Sequence, residues 1–194
     1  ILQDLFRIQL LVFLIDVHYE THWNFDEFQL LPFWEEISRL IVTLGAKPSD
    51  VEIFLKDIRD YEKVEQNMRQ GKEISLLPIR DFYFLKSCDV RLQRHLAQFV
   101  QDGSICHSTV EQINFDILGE ILDDVDDIAE DDVEDMHNGN RFLELLRKDK
   151  DRAIKEYENF LLSFVGTDAP PRLQEMLTRS STKLAQIESK AEPT

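Results

Sequence analysis

Eight carboxylates fall within the thirteen residues Glu120–Asp132, yet Ile121, Leu122, Val125 and Ile128 recur among them at helical spacing. A solvated linker has no use for such apolar residues, and a half-buried strand would need alternation with a period of two. The stretch is therefore expected to be a helix with one buried face. With Asp124 as the origin of a helical wheel, Ile117, Ile128, Ile121, Val125, Leu118 and Leu122 spread over about +20° to +160°. Glu120, Asp127 and Asp131 sit at about −40°, −60° and −20°, so Glu120, Asp124, Asp127 and Asp131 form a row bordering that face. Asp123, Asp126 and Glu130 point farther off, toward solvent.

Four like charges in one row repel, each adjacent pair by some tenths of a kcal/mol when exposed. A hard divalent ion relieves this, because Mg²⁺ accepts one or two carboxylates, keeps several waters and bridges to phosphate oxygens. The row is thus a candidate Mg²⁺ site, and through the metal a site for a phosphate-bearing ligand. The alternative is an acidic, solvated face that holds nothing. An EF-hand would need a glycine at its sharp turn, and a di-iron bundle would need Glu-x-x-His pairs; neither is present. His18 and His22 lie one turn apart, but Tyr19 stands where a zincin carries glutamate, and the pair reads as structural.

Composition narrows the class. The 194 residues carry a net charge of −16, which argues against nucleic acid and against anionic membrane surfaces as partners. Six glycines and six prolines suit long helices better than a turn-rich β fold. No apolar run approaches the roughly 20 residues of a membrane span. Cys88 and Cys106 show no metal or redox spacing, which suggests a reducing, cytoplasmic setting. The expected architecture is all-α: a single domain over residues 1–187, a bundle of six or seven helices, with a polar tail at 188–194.

In chain order, residues 1–22 read as a helix that is apolar nearly all round and therefore central and buried, facing residues 108–136. Gln9, Asp16 and Glu20 share one narrow stripe of it, within about 40°. An acid in such a helix is costly unless paired or ligated, so Asp16 either bonds a nearby backbone group or faces a ligand. A second helix is expected over 27–44, capped by Asn24 or Asp26, with Phe28, Leu31, Trp34, Ile37 and Ile41 buried. A third runs from Pro48 to about Arg69, and a fourth from Ile79 to Gln101. In the fourth, Lys86 and Asp89 project into the apolar arc, while Arg80, Arg91 and Arg94 gather on a flank. These are either a surface ion pair beside snorkelling arginines or a basic lining for an anion. The acidic helix is next, then one from Asn140 to Val165 with a break around 148–151, then a last helix over 172–187.

The segment Ile121-Leu-Asp-Asp-Val-Asp-Asp127 resembles the DDxxD element of all-α class I isoprenoid synthases, which include prenyltransferases, squalene and phytoene synthases and terpene cyclases. Leu14-Ile-Asp-Val-His-Tyr-Glu20 is similar to a reduced form of that family's first acidic motif, with Asp16 in place of the usual adjacent pair. The resemblance implies a Mg²⁺-dependent protein that binds a prenyl diphosphate and ionises or condenses it. Asp16, Glu20, Glu120, Asp124, Asp127 and Asp131 would ligate the metal, with Asp16, Asp124 and Asp127 central to the chemistry. Lys86, Arg91 and Arg94 would hold the diphosphate, and Phe6, Phe13, Phe82 and Phe84 would line an apolar pocket. A homodimer is compatible with it. The alternatives are a non-catalytic helical protein that offers its acidic face to a partner, and an unrelated carboxylate-metal enzyme.

Overall fold

Nine α-helices occur among the residues described by the structure, a computed structural model: 1–21, 27–128, 139–164 and 170–189. They are α1 (Leu2–Thr21), α2 (Leu31–Thr43), α3 (Val51–Arg69), α4 (Ile79–Lys86), α5 (Cys88–Asp102), α6 (Val110–Asp126), α7 (Arg141–Lys148), α8 (Lys150–Leu162) and α9 (Pro171–Ser189). Short 3₁₀ turns precede α2, α3 and α4, and no strand occurs among the described residues. The fold is all-α, as expected.

Two breaks help raise the count above six or seven. At Ser87 the backbone turns between α4 and α5 (φ −76°, ψ 20°), and its buried hydroxyl accepts from Arg91 Nη1 at 2.7 Å. At Asp149, inside the expected break, the chain becomes extended and the side chain accepts from Arg152 N, capping α8. Proline sets the start of α2, in its first turn. A left-handed Gly103 (φ 69°) ends α5, its N–H donating to Phe99 O at 2.7 Å. The proposed caps Asn24 and Asp26 lie outside the described residues.

Within the expected domain the chain clusters into two compact units, one of Ile1–Lys72 with Leu85–Thr109, the other of Glu73–Phe84 with Val110–Thr194. In the first, α1 packs on α2 and α5, and α3 packs on α5. Ile8, Val12 and Ile15 of α1 join Ile37, Leu40 and Ile41 of α2, and Phe54, Leu55 and Leu96 complete the core. Each fully buried aliphatic side chain contributes about 1.5–3 kcal/mol.

Helix α1 departs from the all-round burial expected of it. Leu2, Phe6, Leu10 and Phe13 are 81%, 71%, 44% and 56% exposed. Among the described residues its main neighbours within the unit are α2 and α5. Phe28, in the 3₁₀ turn before α2, and Leu31, at its start, are also exposed, while Trp34, Ile37 and Ile41 are buried. The 3₁₀ turn Glu27–Leu30 breaks the helical phase ahead of Pro32, so the periodic stripe starts only after it.

In the second unit α6 packs on α9 and α7, and α8 packs on α7 and α9. Ile117, Leu118, Ile121, Leu122 and Val125 are buried, as the wheel predicts. Lys183 of α9 holds Asp126 at 2.9 Å, so this acid of α6 serves the packing of α9.

Candidate functional site

Asp124, the residue on which the acidic helix centres, is only 2% exposed. Tyr83 of α4 donates its phenol to Asp124 Oδ2 at 2.5 Å, and the Tyr157 hydroxyl of α8 lies 2.7 Å from that of Tyr83. Tyr83 has one proton and gives it to the carboxylate, so Tyr157 must be the donor to Tyr83. Arg141 Nη1 then donates to Tyr157 at 3.2 Å. The same guanidinium, 2% exposed at the side chain, bonds the Leu77 and Ser75 carbonyls and pairs with Glu156. A chain of hydrogen bonds thus runs from Arg141 through two tyrosines to Asp124.

Burial, the Asp124 charge and the hydrogen bonds push the Tyr83 phenol well above its ordinary range. Burial raises Tyr157 too, although Arg141 pulls it down and Asp124 adds to the rise. Both are protonated donors at neutral pH, which is what the chain requires. Asn140 joins the same corner: its Nδ2 donates to the Asp124 carbonyl at 2.7 Å, and its Oδ1 caps α7 by accepting from Leu143 N at 2.8 Å. Phe82, expected to line a pocket, is instead fully buried and stacks edge-on against Tyr83.

This divides the acidic row. Asp124 turns inward, whereas Asp127 and Asp123 are exposed and Glu120 is partly so. Asp127, just past the end of α6, is one turn from Asp123, its N–H donating to the Asp123 carbonyl at 2.9 Å, and Glu120 lies on the same side. The accessible row is therefore Glu120-Asp123-Asp127 rather than Glu120-Asp124-Asp127. Asp131 and the Glu20 side chain lie outside the described residues, as does His22.

Asp16 lies in the first unit. It is partly buried, and desolvation pushes its carboxyl up; Lys86 offsets part of that and Asp89 adds to it. Gln9 Nε2 donates to Asp89 Oδ2 at 3.3 Å, while Gln9 Oε1 is buried with no hydrogen-bond partner among the described residues. Gln9, Asp16, Lys86 and Asp89 thus form one polar group against α1. The exposed stripe Leu2, Phe6, Leu10 and Phe13 runs along α1 toward it.

Arg91 and Arg94 do not join Lys86 there. Around α5 they lie about 160° and 140° from Asp89. Arg91, 2% exposed, is held by Asp57 at 2.9 Å and Ser87, and Arg94 Nη1 donates to Ser108 Oγ at 2.8 Å. Phe84 is partly buried. His18 is also partly buried, its ring 6.2 Å from that of Phe33.

The chain has no match among protein-family models, curated proteins or solved structures. The chemistry has to be read from the side chains themselves. No group of three or more His, Cys, Asp or Glu side chains is gathered for a metal among the described residues, so an all-protein cage does not fit them. No helix of the described residues is long and apolar enough to cross a membrane.

The tyrosine–arginine chain was not foreseen in the sequence. The nearest signal was Asn140 in a capping position; nothing local marks Tyr83 or Tyr157 as partners of an aspartate 41 residues from the first of them.

Proposed function

We propose that the chain is a class I isoprenoid synthase-like protein that binds Mg²⁺ and, through it, a prenyl diphosphate. One observation carries this reading: α1 exposes an apolar row, Leu2-Phe6-Leu10-Phe13, that leads toward the polar group of Asp16, Lys86, Gln9 and Asp89. An amphiphile with a long apolar tail and a charged head matches that order of side chains. The apolar row covers the tail, Lys86 meets the diphosphate and Asp16 meets its metal. Asp123 on α6 and Asp127 just past its end are a separate pair of candidate Mg²⁺ ligands within the second unit, in keeping with the resemblance of 121–127 to a DDxxD element. When bound, Mg²⁺ neutralises the charge that develops on a departing diphosphate. The residues themselves orient the head group and keep water from the tail.

Isothermal titration with a prenyl diphosphate in the presence of Mg²⁺ tests the reading. Saturable binding that disappears without Mg²⁺ is expected, and it should weaken at least tenfold in Asp16→Asn. A flat titration of folded wild-type protein sinks the proposal.

A second reading is favoured by the commitment of Asp124 to Tyr83. In it the protein is a non-catalytic helical module that presents its acidic surface to a partner. It predicts the flat titration, with no turnover of prenyl diphosphate to inorganic diphosphate.

A further inference from the structure

Acidic side chains outnumber lysine and arginine by 38 to 22, yet one corner of the first unit reverses the balance. Arg91, Arg94 and His95 of α5 gather there with His107 of the segment that follows, and among the described residues Asp57 of α3 is the acid that acts on His95. Asp57 is engaged by Arg91 at 2.9 Å. Arg94 Nη1 and His95 Nε2 converge on one small group, the Ser108 hydroxyl, at 2.8 and 3.0 Å. Arg94, His95 and Ser108 are partly buried and His107 is exposed, so the corner opens to solvent on the side of the 103–109 segment.

A guanidinium, an imidazole and a hydroxyl converging in this way are the donors that a tetrahedral oxyanion takes. We propose that Arg94, His95 and Ser108 form a binding site for a phosphoryl group, with His107 at its rim and Arg91 fixed behind it. The site stands apart from the polar group at Asp16, because Arg94 and His95 lie about 120–140° around α5 from Asp89. It does not rest on the isoprenoid reading.

The charge state of His95 follows from the same surroundings. Burial lowers its pKa, and Arg94, Arg91 and His107 lower it further against an opposing pull from Asp57. A bound phosphate dianion reverses the sign of the field at the ring, so phosphate binding and His95 protonation reinforce each other. Binding of the dianion therefore tightens as His95 takes up its proton, while protonation of the ligand itself, with a second pKa of about 6, opposes the gain at lower pH.

Titration of the His95 ring by NMR, on the full chain at constant ionic strength, provides the test. Chloride is compared with millimolar inorganic phosphate and with a simple phosphate monoester. The His95 pKa is expected to rise by about one unit in phosphate, a tenfold gain in proton affinity, and to lose that rise in Arg94→Gln. A monoester shift equal to that of phosphate assigns the site to phosphorylated ligands, and a shift with inorganic phosphate alone assigns it to the free anion. If His95 titrates identically in chloride and in both phosphates, or if Arg94→Gln keeps the full shift while remaining folded by circular dichroism, there is no such site.

Discussion

Asp16 and Asp124 are both aspartates set into apolar stretches of helix, and the two units treat them in opposite ways. Asp124 is enclosed and answered: a phenol reaches it, a second phenol supports the first, and a buried guanidinium supports the second. Asp16 is only partly enclosed and sits beside Lys86 and a second acid, Asp89, with a buried Gln9 oxygen lacking a partner close by. A carboxylate whose burial is matched by designed donors belongs to the packing of its unit. One whose burial is only partly offset keeps a reason to meet something else. The comparison separates structure from function along lines that charge density alone would blur.

The sharpest way to break it is to remove the far end of the Asp124 chain. Arg141→Ala would leave the Leu77 and Ser75 carbonyls, Tyr157 and Glu156 without their donor. The loss should be about 3 kcal/mol or more, the scale for breaking a buried charged network by removing one partner. Urea unfolding followed by circular dichroism measures it. A loss below about 1 kcal/mol would mean that the network is decoration rather than framework.

Next in size is Asp124→Asn, expected to cost roughly 2 kcal/mol because Tyr83 loses a charged acceptor. Asp123→Asn and Asp127→Asn should stay within about 0.5 kcal/mol of wild type, as exposed substitutions do. The paired outcome matters more than either number. Stability should follow Asp124, while any binding of Mg²⁺ by this unit should follow Asp123 and Asp127.

The wheel drawn from sequence located the buried face of α6 well, from Ile117 to Val125, because periodicity is a local property. It placed Asp124 at the border of that face. What drew Asp124 inward is Tyr83, on another helix, and no local pattern encodes that meeting. Helix α1 failed in the opposite sense. Its apolar composition was legible, but composition cannot say which flanks acquire neighbours, and Phe6 and Phe13 are exposed. The sequence sets Lys86 and Asp89 in one apolar arc and Asp16 in another; that the three meet against α1 is a tertiary fact that no local pattern encodes. Arg91, grouped with Lys86 only through the family resemblance, is held by Asp57, a partner supplied by α3.

Alkaline pH probes the same comparison more gently. Tyr83 and Tyr157 have folded-state pKa values above those of unfolded tyrosine, so above about pH 10 the unfolded chain releases protons that the folded chain retains. Their contribution is fully present below the unfolded value and is lost as pH rises past it. Urea midpoints should fall between about pH 10 and 11, and Tyr83→Phe should flatten that fall while lowering stability at neutral pH. An equally steep fall in the variant would assign the alkaline sensitivity to other groups.

The smallest expected effect is the most discriminating. The Asp16 carboxyl is raised by desolvation, so its charged form is disfavoured on folding; the penalty is absent below the unfolded pKa and grows as pH rises through the folded one. At neutral pH, Asp16→Asn should therefore stabilise the protein, by up to about 1 kcal/mol, where Asp124→Asn destabilises it. The gain should vanish below about pH 3, where Asp16 is protonated in both states. A residue that costs stability when charged, and whose removal abolishes Mg²⁺-dependent binding of a prenyl diphosphate, is held in place by what it binds. If Asp16→Asn instead destabilises the chain as Asp124→Asn does, Asp16 is framework as well, and the contrast between the two aspartates fails.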